Sequence, residues 1–231
     1  MERTLSAVDG LTGILKASAG SQKIAKEDYL FREGEQAETL YYVESGKVRV
    51  GKVTPDGREI TFRICGEGDF IGEIMPFCPP SLYTVEAKAT EATIVAAIPK
   101  ERLEELLYLE HELSIAYMKW MGILQQRTQS KFRDLILHGK KGALYSTLIR
   151  MSNSYGVPAE GGGILIDLEL TNQELANFCG MAREVANRML SELRKSGKLR
   201  MDNGKIVLTD IGFLRDAMHC ENCPVEICSI E

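Results

Sequence analysis

The sequence predicts an α+β chain with an N-terminal β-roll, a long dimerisation helix and a C-terminal winged helix-turn-helix that ends in a cysteine-rich tail. Three observations carry that expectation. Short glycine-punctuated strands fill the region from about Ile24 to Pro99; helical apolar spacing runs from Pro99 to about Arg133; and a capped helix-turn-helix after Thr171 is followed closely by three cysteines. The corresponding divisions are residues 1–99 for the roll, 100–138 for the helix and hinge, 139–217 for the winged unit and 218–231 for the tail.

Strand by strand, Val48 and Val50, then Ile60, Phe62 and Ile64, alternate with polar residues around Pro55-Asp56-Gly57, which is a hairpin signal. Gly34, Gly46, Gly66, Gly68 and Gly72 mark further turns, and Thr93 to Ile98 reads as a closing strand. Evenly spaced short strands suit an all-β roll. The period then changes. From Pro99 to about Arg133 only Gly122 is a weak breaker, and Leu113, Tyr117, Trp120 and Leu124 fall at four- and three-residue steps. This predicts one helix of more than 30 residues with a coiled-coil seam, and a second copy of the chain as its partner; packing against its own chain is the alternative. Residues 139–155 read as a further helix, Gly161-Gly162-Gly163 as a loop and Ile164-Leu165-Ile166 as a strand.

Thr171-Asn172-Gln173-Glu174 fits a capping box. Leu175, Ala176 and Phe178 supply an apolar face, Gly180 a turn, and a second helix carries Val185, Met189, Leu190 and Leu193 inward before Ser196-Gly197. Asp202-Asn203-Gly204 between short β-like runs supplies a wing. Arg183, Glu184, Asn187 and Arg188 cluster at the exposed N-terminal end of the second helix, the end such helices point into the major groove. Arginine forks onto guanine and glutamate accepts from cytosine, so a half-site with at least one G·C pair is expected. The bland reading is an Arg183–Glu184 pair on a solvated helix face. Between Arg183 and Lys205 seven basic residues face three acidic ones, a local excess of four that suits phosphate contacts.

At 231 residues, 44% hydrophobic and 26% charged, the composition is that of an ordinary globular protein. The net charge of −5 argues against a wholesale basic coat. Neither a signal-peptide core after Met1 nor a membrane-length apolar run is present, so a cytoplasmic protein without membrane partners is expected. In that reducing compartment six cysteines point to metal or redox use over disulfides. Cys220, Cys223 and Cys228, spaced C-x2-C-x4-C, are one ligand short of a four-ligand site. Zinc, an iron–sulfur cluster and three unliganded thiols all remain open on spacing alone. Asp134, His138, His219, Asp216 and Glu226 are the candidate outside ligands; Cys65, Cys78 and Cys179 read as small buried hydrophobes.

The order of β-roll, long helix and winged helix-turn-helix resembles the CRP/FNR family of bacterial transcription regulators. Phe70-Ile71-Gly72-Glu73 and the stretch from Leu170 to Leu190 carry the resemblance, which covers nearly the whole chain. It implies a cyclic-nucleotide-binding-like roll, a homodimer, palindromic promoter DNA and RNA polymerase as partners, and no enzymatic activity. Thr171, Asn172, Arg183, Glu184, Asn187 and Arg188 are then the DNA-binding candidates. Arg183, Glu184 and Arg188 match the family's Arg-Glu-x3-Arg pattern, which implies a TGTGA-type half-site. The roll departs from the cyclic-nucleotide pattern. Residues 74–87 contain no Arg or Lys, and Ser81-Leu82-Tyr83-Thr84 stands where the phosphate-holding Arg-Ser or Arg-Thr pair would be. A buried phosphate would lack its cation, which argues against cyclic nucleotide as a ligand.

The tail cysteines are similar to those of the Bacillus-type branch of the family, oxygen-responsive regulators with a C-terminal [4Fe–4S] cluster. The resemblance implies one such cluster per subunit, held by Cys220, Cys223, Cys228 and, as fourth ligand, Asp134. It further implies control of anaerobic respiration and fermentation genes, with the tail released from the helix end when oxygen removes the cluster. A zinc-stabilised regulator answering to a small effector in the roll is the alternative. An electron carrier or redox enzyme is a rival of another class, and no dinucleotide-binding glycine fingerprint or nucleophile constellation supports it.

Overall fold

The computed structural model describes Thr12 and residues 20–72, 74–79 and 81–230; Glu73 and the first residues of the chain lie outside the described residues. The chain divides into two compact units, with the boundary between Leu124 and Gln125 and with residues 53–61 grouped with the second.

Among the described residues the first unit is built on eight strands. β1 (Gly20–Ile24), β8 (Thr93–Pro99), β3 (Thr39–Ser45) and β6 (Phe70–Ile71) form one four-stranded sheet in that order. β2 (Tyr29–Phe31), β7 (Glu86–Ala89), β4 (Val48–Val53) and β5 (Glu59–Cys65) form the other. Leu40, Val43, Val48, Phe70, Ile71 and Ile98 are buried between them. β4 keeps the expected alternation, with Val48 and Val50 inward. β5 keeps the expected phase only at Ile64, which is buried; Thr61, Arg63 and Cys65 are buried as well, while Ile60 is half-buried and Phe62 exposed. The apolar pattern of β5 misleads because Arg63 is drawn inward, where its guanidinium donates to the Phe70 carbonyl at 3.4 Å.

The expected unbroken helix from Pro99 is two helices. α1 (Lys100–Leu109) stops at Glu110, whose backbone is extended, and α2 (His111–Tyr155) begins anew. The break lets Leu103, Leu106 and Leu107 of α1 and Leu113, Tyr117 and Trp120 of α2 reach one core. The predicted dimer seam is thereby corrected. Leu113, Tyr117 and Trp120 are buried against the roll, with Trp120 edge-on to Phe70 and the Tyr117 hydroxyl donating to the Ile74 carbonyl at 2.7 Å. Periodicity showed an apolar face and could not name what covers it.

α2 itself breaks at Gly139, with φ 56° and ψ −142°, so residues 140–155 form a separate arm, as the sequence suggested. A Cβ on Gly142 would lie 2.3 Å from the Asp134 carbonyl oxygen, so only glycine lets the second arm pass that close to the first. The second unit continues through β9 (Gly156–Pro158) and β10 (Ile164–Ile166), α3 (Asn172–Phe178), α4 (Arg183–Lys195), the wing strands β11 (Leu199–Asp202) and β12 (Lys205–Leu208), and α5 (Ile211–Ala217). Its sheet order is β11-β12-β10-β9. Among the described residues no helix is long and apolar enough to cross a membrane.

Candidate nucleic-acid interface and thiol site

α3 begins as its sequence demands. The Thr171 side-chain oxygen accepts from the Glu174 backbone N–H at 3.2 Å, and the Glu174 carboxylate accepts from the Thr171 N–H at 2.7 Å. Leu175 and Ala176 are buried, Gly180 makes the turn with φ 58°, and α4 follows. Ala186, Leu190 and Leu193 fix α4 to the unit; Val185 and Met189, expected inward, are half-buried. Thr171, Asn172, Arg183, Glu184 and Arg188 are exposed. Asn187 departs from expectation: it is half-buried, and its side-chain oxygen is buried without a hydrogen-bond partner among the described residues. Ala182 gives α4 no side-chain cap, which leaves a positive helix end suited to an anion.

The wing cations are committed to carboxylates. Lys198 pairs with Asp210 at 2.6 Å, Lys205 with Asp167 at 2.7 Å, and Arg200 with Asp202 at 3.6 Å. Among the described residues neither Arg183 nor Arg188 has an ion pair, so the bland alternative, an Arg183–Glu184 pair on a solvated face, is not formed. The free positive charge therefore lies on α4 and less on the wing.

A pocket in the same unit is lined by Cys220, Cys223 and Cys228 together with Asp134, Ser130, Arg133 and Arg150. His138, His219, Asp216 and Glu226 do not line it. The three tail thiols are unpaired, and no three described His, Cys, Asp or Glu side chains stand at the spacing of ligands around a single ion. Asp134 is only 6% exposed. Its Oδ1 accepts from Arg133 at 2.8 Å and its Oδ2 from Arg150 at 3.0 Å. Burial pushes the Cys228 thiol pKa up; the nearby Arg150 charge opposes that shift, and Cys220, Cys223 and Asp134 add to it.

The tail is held by more than these groups. Arg127 donates to the Glu226 carbonyl at 2.6 Å, Arg150 to the Ile227 carbonyl at 2.9 Å and Asn153 to the Cys228 carbonyl at 2.7 Å. The Ile230 N–H donates to Ser154 at 3.0 Å, Arg133 bonds Glu221, and Ile227 and Ile230 are buried. Sequence reasoning missed Arg150 altogether. Its one mark in the sequence is that it is the single charged residue from Leu144 to Ser152; that this run is buried without interruption is seen in the structure alone. Of the remaining cysteines, Cys65 and Cys179 are buried as expected, whereas Cys78 is exposed, a correction.

Residues 21–108 match the cyclic nucleotide-binding domain family, and residues 142–217 match the Crp-like helix-turn-helix domain family. The chain is 49% identical over 219 residues to the anaerobic regulatory protein of Bacillus subtilis, covering 94% of this chain and 92% of that protein. It is 29% identical over 181 residues to a CRP-like cAMP-activated global transcriptional regulator of Mycobacterium tuberculosis, covering 78% and 80%. Among solved structures, FixK2 from Bradyrhizobium japonicum superposes with a TM-score of 0.74 at 22% identity, over 86% of this chain and 96% of that one. A CooA mutant from Carboxydothermus hydrogenoformans gives 0.75 at 21% identity, over 90% of each.

Proposed function

Because the chain belongs to the Crp/Fnr family of DNA-binding transcription regulators, we propose that it is an oxygen-responsive member whose tail holds one [4Fe–4S] cluster per subunit. In this reading Cys220, Cys223, Cys228 and Asp134 are the ligands, and the cluster governs how a homodimer binds palindromic promoter sites of anaerobic respiration and fermentation genes, with RNA polymerase as the downstream partner.

The observation that carries the reading is the sharing of one pocket by three thiols and a buried carboxylate, with two guanidiniums beside them. Such a donor set fits the group: soft thiolates suit iron–sulfur chemistry, and the cations offset the anionic ligands. The name of the Bacillus subtilis relative, an anaerobic regulatory protein, favours the same signal. When bound, the group supplies an oxygen-labile crosslink between the tail and the first arm of α2.

The chain's own residues would carry the consequence to DNA. Asp134 faces the pocket from an arm whose other side exposes Phe132, Leu135 and Ile136. Phe132, Leu135 and Ile136, at three- and four-residue steps on this arm, would then serve as its homodimer seam in place of the Leu113–Trp120 face. A dimer must set its α4 helices about 34–36 Å apart to meet successive major grooves, so small changes in the arm alter affinity strongly. Arg183, Glu184 and Arg188 would read the half-site.

Purification without oxygen, with iron, acid-labile sulfide and zinc assays and an absorption spectrum, tests the cofactor. Equal iron and sulfide, lost in air together with operator affinity, is the expected result. Zinc in their place would favour the zinc-stabilised alternative, and colourless protein that holds its operator tightly would end the proposal.

A further inference from the structure

We infer that Arg150 is the positioning residue of the thiol site: it holds Asp134 and the cysteine tail in fixed register and supplies the buried positive charge that an anionic metal centre there requires. This inference rests on the reading of the tail thiols as ligands.

The geometry is that of a fork. Arg150 is 2% exposed, and its two Nη atoms serve three acceptors on two segments distant in sequence. Nη1 donates to the Ile227 carbonyl at 2.9 Å, one residue before Cys228. Nη2 donates to Ser130 at 2.8 Å and to Asp134 Oδ2 at 3.0 Å, both on the first arm of α2. The guanidinium thus ties the residue beside one thiol to the proposed carboxylate ligand. Its Nε is buried with no acceptor among the described residues. A buried donor left over on a buried cation is costly in a protein interior, and it becomes useful beside a centre rich in negative charge.

Lysine could not replace it. Its ammonium is a compact point charge, able to pair with Asp134 but not to span a carbonyl and a carboxylate from one rigid plane. Other contacts hold the tail as well, including Asn153 on the Cys228 carbonyl. Arg133 also touches both, bonding Asp134 Oδ1 and Glu221 of the tail, but it is half-buried; Arg150 is the fully buried guanidinium that reaches the tail backbone and Asp134 together.

The test compares wild type, R150M and R150K of the full chain, prepared without oxygen. Bound iron is assayed first. Each protein is then stripped with chelator, and two further quantities are read on the metal-free form: the rate at which iodoacetamide alkylates Cys228, by peptide mass spectrometry, and the melting temperature. R150M should retain iron about 10–100-fold more weakly, the usual cost of removing a group that orients a metal ligand. Its metal-free Cys228 should alkylate about tenfold faster than in wild type, as burial and order around the thiol are lost. R150K should recover the melting temperature, because the charge pair is restored, but not the slow alkylation. That split is one a merely structural ion pair would not produce. Wild-type iron content and wild-type alkylation in R150M would overturn the inference, as would full recovery of both by R150K. If R150M fails to fold, R150Q, which keeps a donor amide without charge, carries the same readouts. If wild type binds no iron, the cluster reading fails, and the alkylation rates of the metal-free proteins still decide whether Arg150 orders the tail.

Discussion

Inside the β-roll, Phe31 and Tyr83 stack with ring centroids 3.7 Å apart, and the Tyr83 hydroxyl donates to the Thr39 carbonyl at 2.6 Å while accepting from its N–H at 3.2 Å. In the DNA-reading unit, by contrast, Arg150 buries an Nε that has no hydrogen-bond partner among the described residues, next to three cysteines outside any disulfide and a buried carboxylate. Both regions are interior and both sit in a fold whose relatives include cAMP-activated regulators. One is filled with aromatic rings and satisfies the Tyr83 hydroxyl twice over, although Glu86 Oε1 on β7 is buried without a hydrogen-bond partner among the described residues. The other keeps more charge and more soft ligands than its own packing needs. The difference teaches where a bound group is to be tested for first: buried charge gathered beside thiols is a better starting point than stacked aromatic rings, even in a module matched by a nucleotide-binding family.

The sharpest way to break the contrast is to attack the aromatic stack. Phe31 is fully buried between Tyr41 and Tyr83, so Phe31→Ala should cost about 3–5 kcal/mol of stability, read by urea denaturation followed through the roll's tyrosines. In parallel, saturating cyclic AMP should leave the wild-type melting temperature unmoved, because a ligand bound by the folded state alone must raise it. A clear rise would return the roll to the list of sensing regions and undo the contrast.

The DNA-reading face supplies the next largest effect. Arg188→Ala should weaken operator binding by about 1–3 kcal/mol and relax the base preference, since a forked contact to guanine would be lost. Lys198→Ala should cost less, because Lys198 already shares its charge with Asp210. Mobility-shift titrations on operator and scrambled duplexes separate the two. Equal losses on both duplexes for Arg188→Ala would make it a phosphate contact and no reader. Thr171→Ala comes third, at about 1 kcal/mol of stability, because it removes a cap whose two reciprocal hydrogen bonds start α3. No change in a thermal melt would mean that water replaces the cap without loss.

How far these regions could be read in the sequence follows from the range of the interactions. The capping box at Thr171, the turn at Gly180, the wing hairpin and the helix break before residue 140 are short-range devices, each written within a few residues, and each appears as expected. The C-x2-C-x4-C spacing of the tail is local in the same way, and the three cysteines line one pocket. Arg150 was not legible, since its partners lie 16, 20 and 77 residues away and nothing in its neighbours announces them. The β5 phase failed at Ile60 and Phe62 because they look more apolar than Thr61 and Arg63, yet the sheet turns the latter inward. The seam on α2 failed because three- and four-residue spacing fits two faces of the helix, and only the roll's core decides that Leu113, Tyr117 and Trp120 pack there. Local chemistry is visible in a sequence; the choice between equivalent faces is made by tertiary packing.

The smallest effect concerns the base of the wing, where Asp210 Oδ1 accepts from the Phe213 N–H at 2.9 Å and Oδ2 from Lys198 at 2.6 Å. The Lys198 ammonium, and then the Phe213 N–H, hold the Asp210 carboxyl below its ordinary value of 3.8. With the folded value depressed, the unfolded chain takes up its proton first as the solution is acidified. The stabilisation is therefore complete above about pH 4 and disappears as the pH falls through the lowered folded value. Asp210→Asn keeps a capping oxygen and removes only the charge, so the melting-temperature gap between it and wild type should be small at neutral pH and close in acid. Both partners are a third or so exposed, and 1 M salt should shrink the gap as well. A gap that persists undiminished at about pH 2 would show that the side-chain amide disturbs packing, and that the Lys198–Asp210 pair is not what joins the wing to α5.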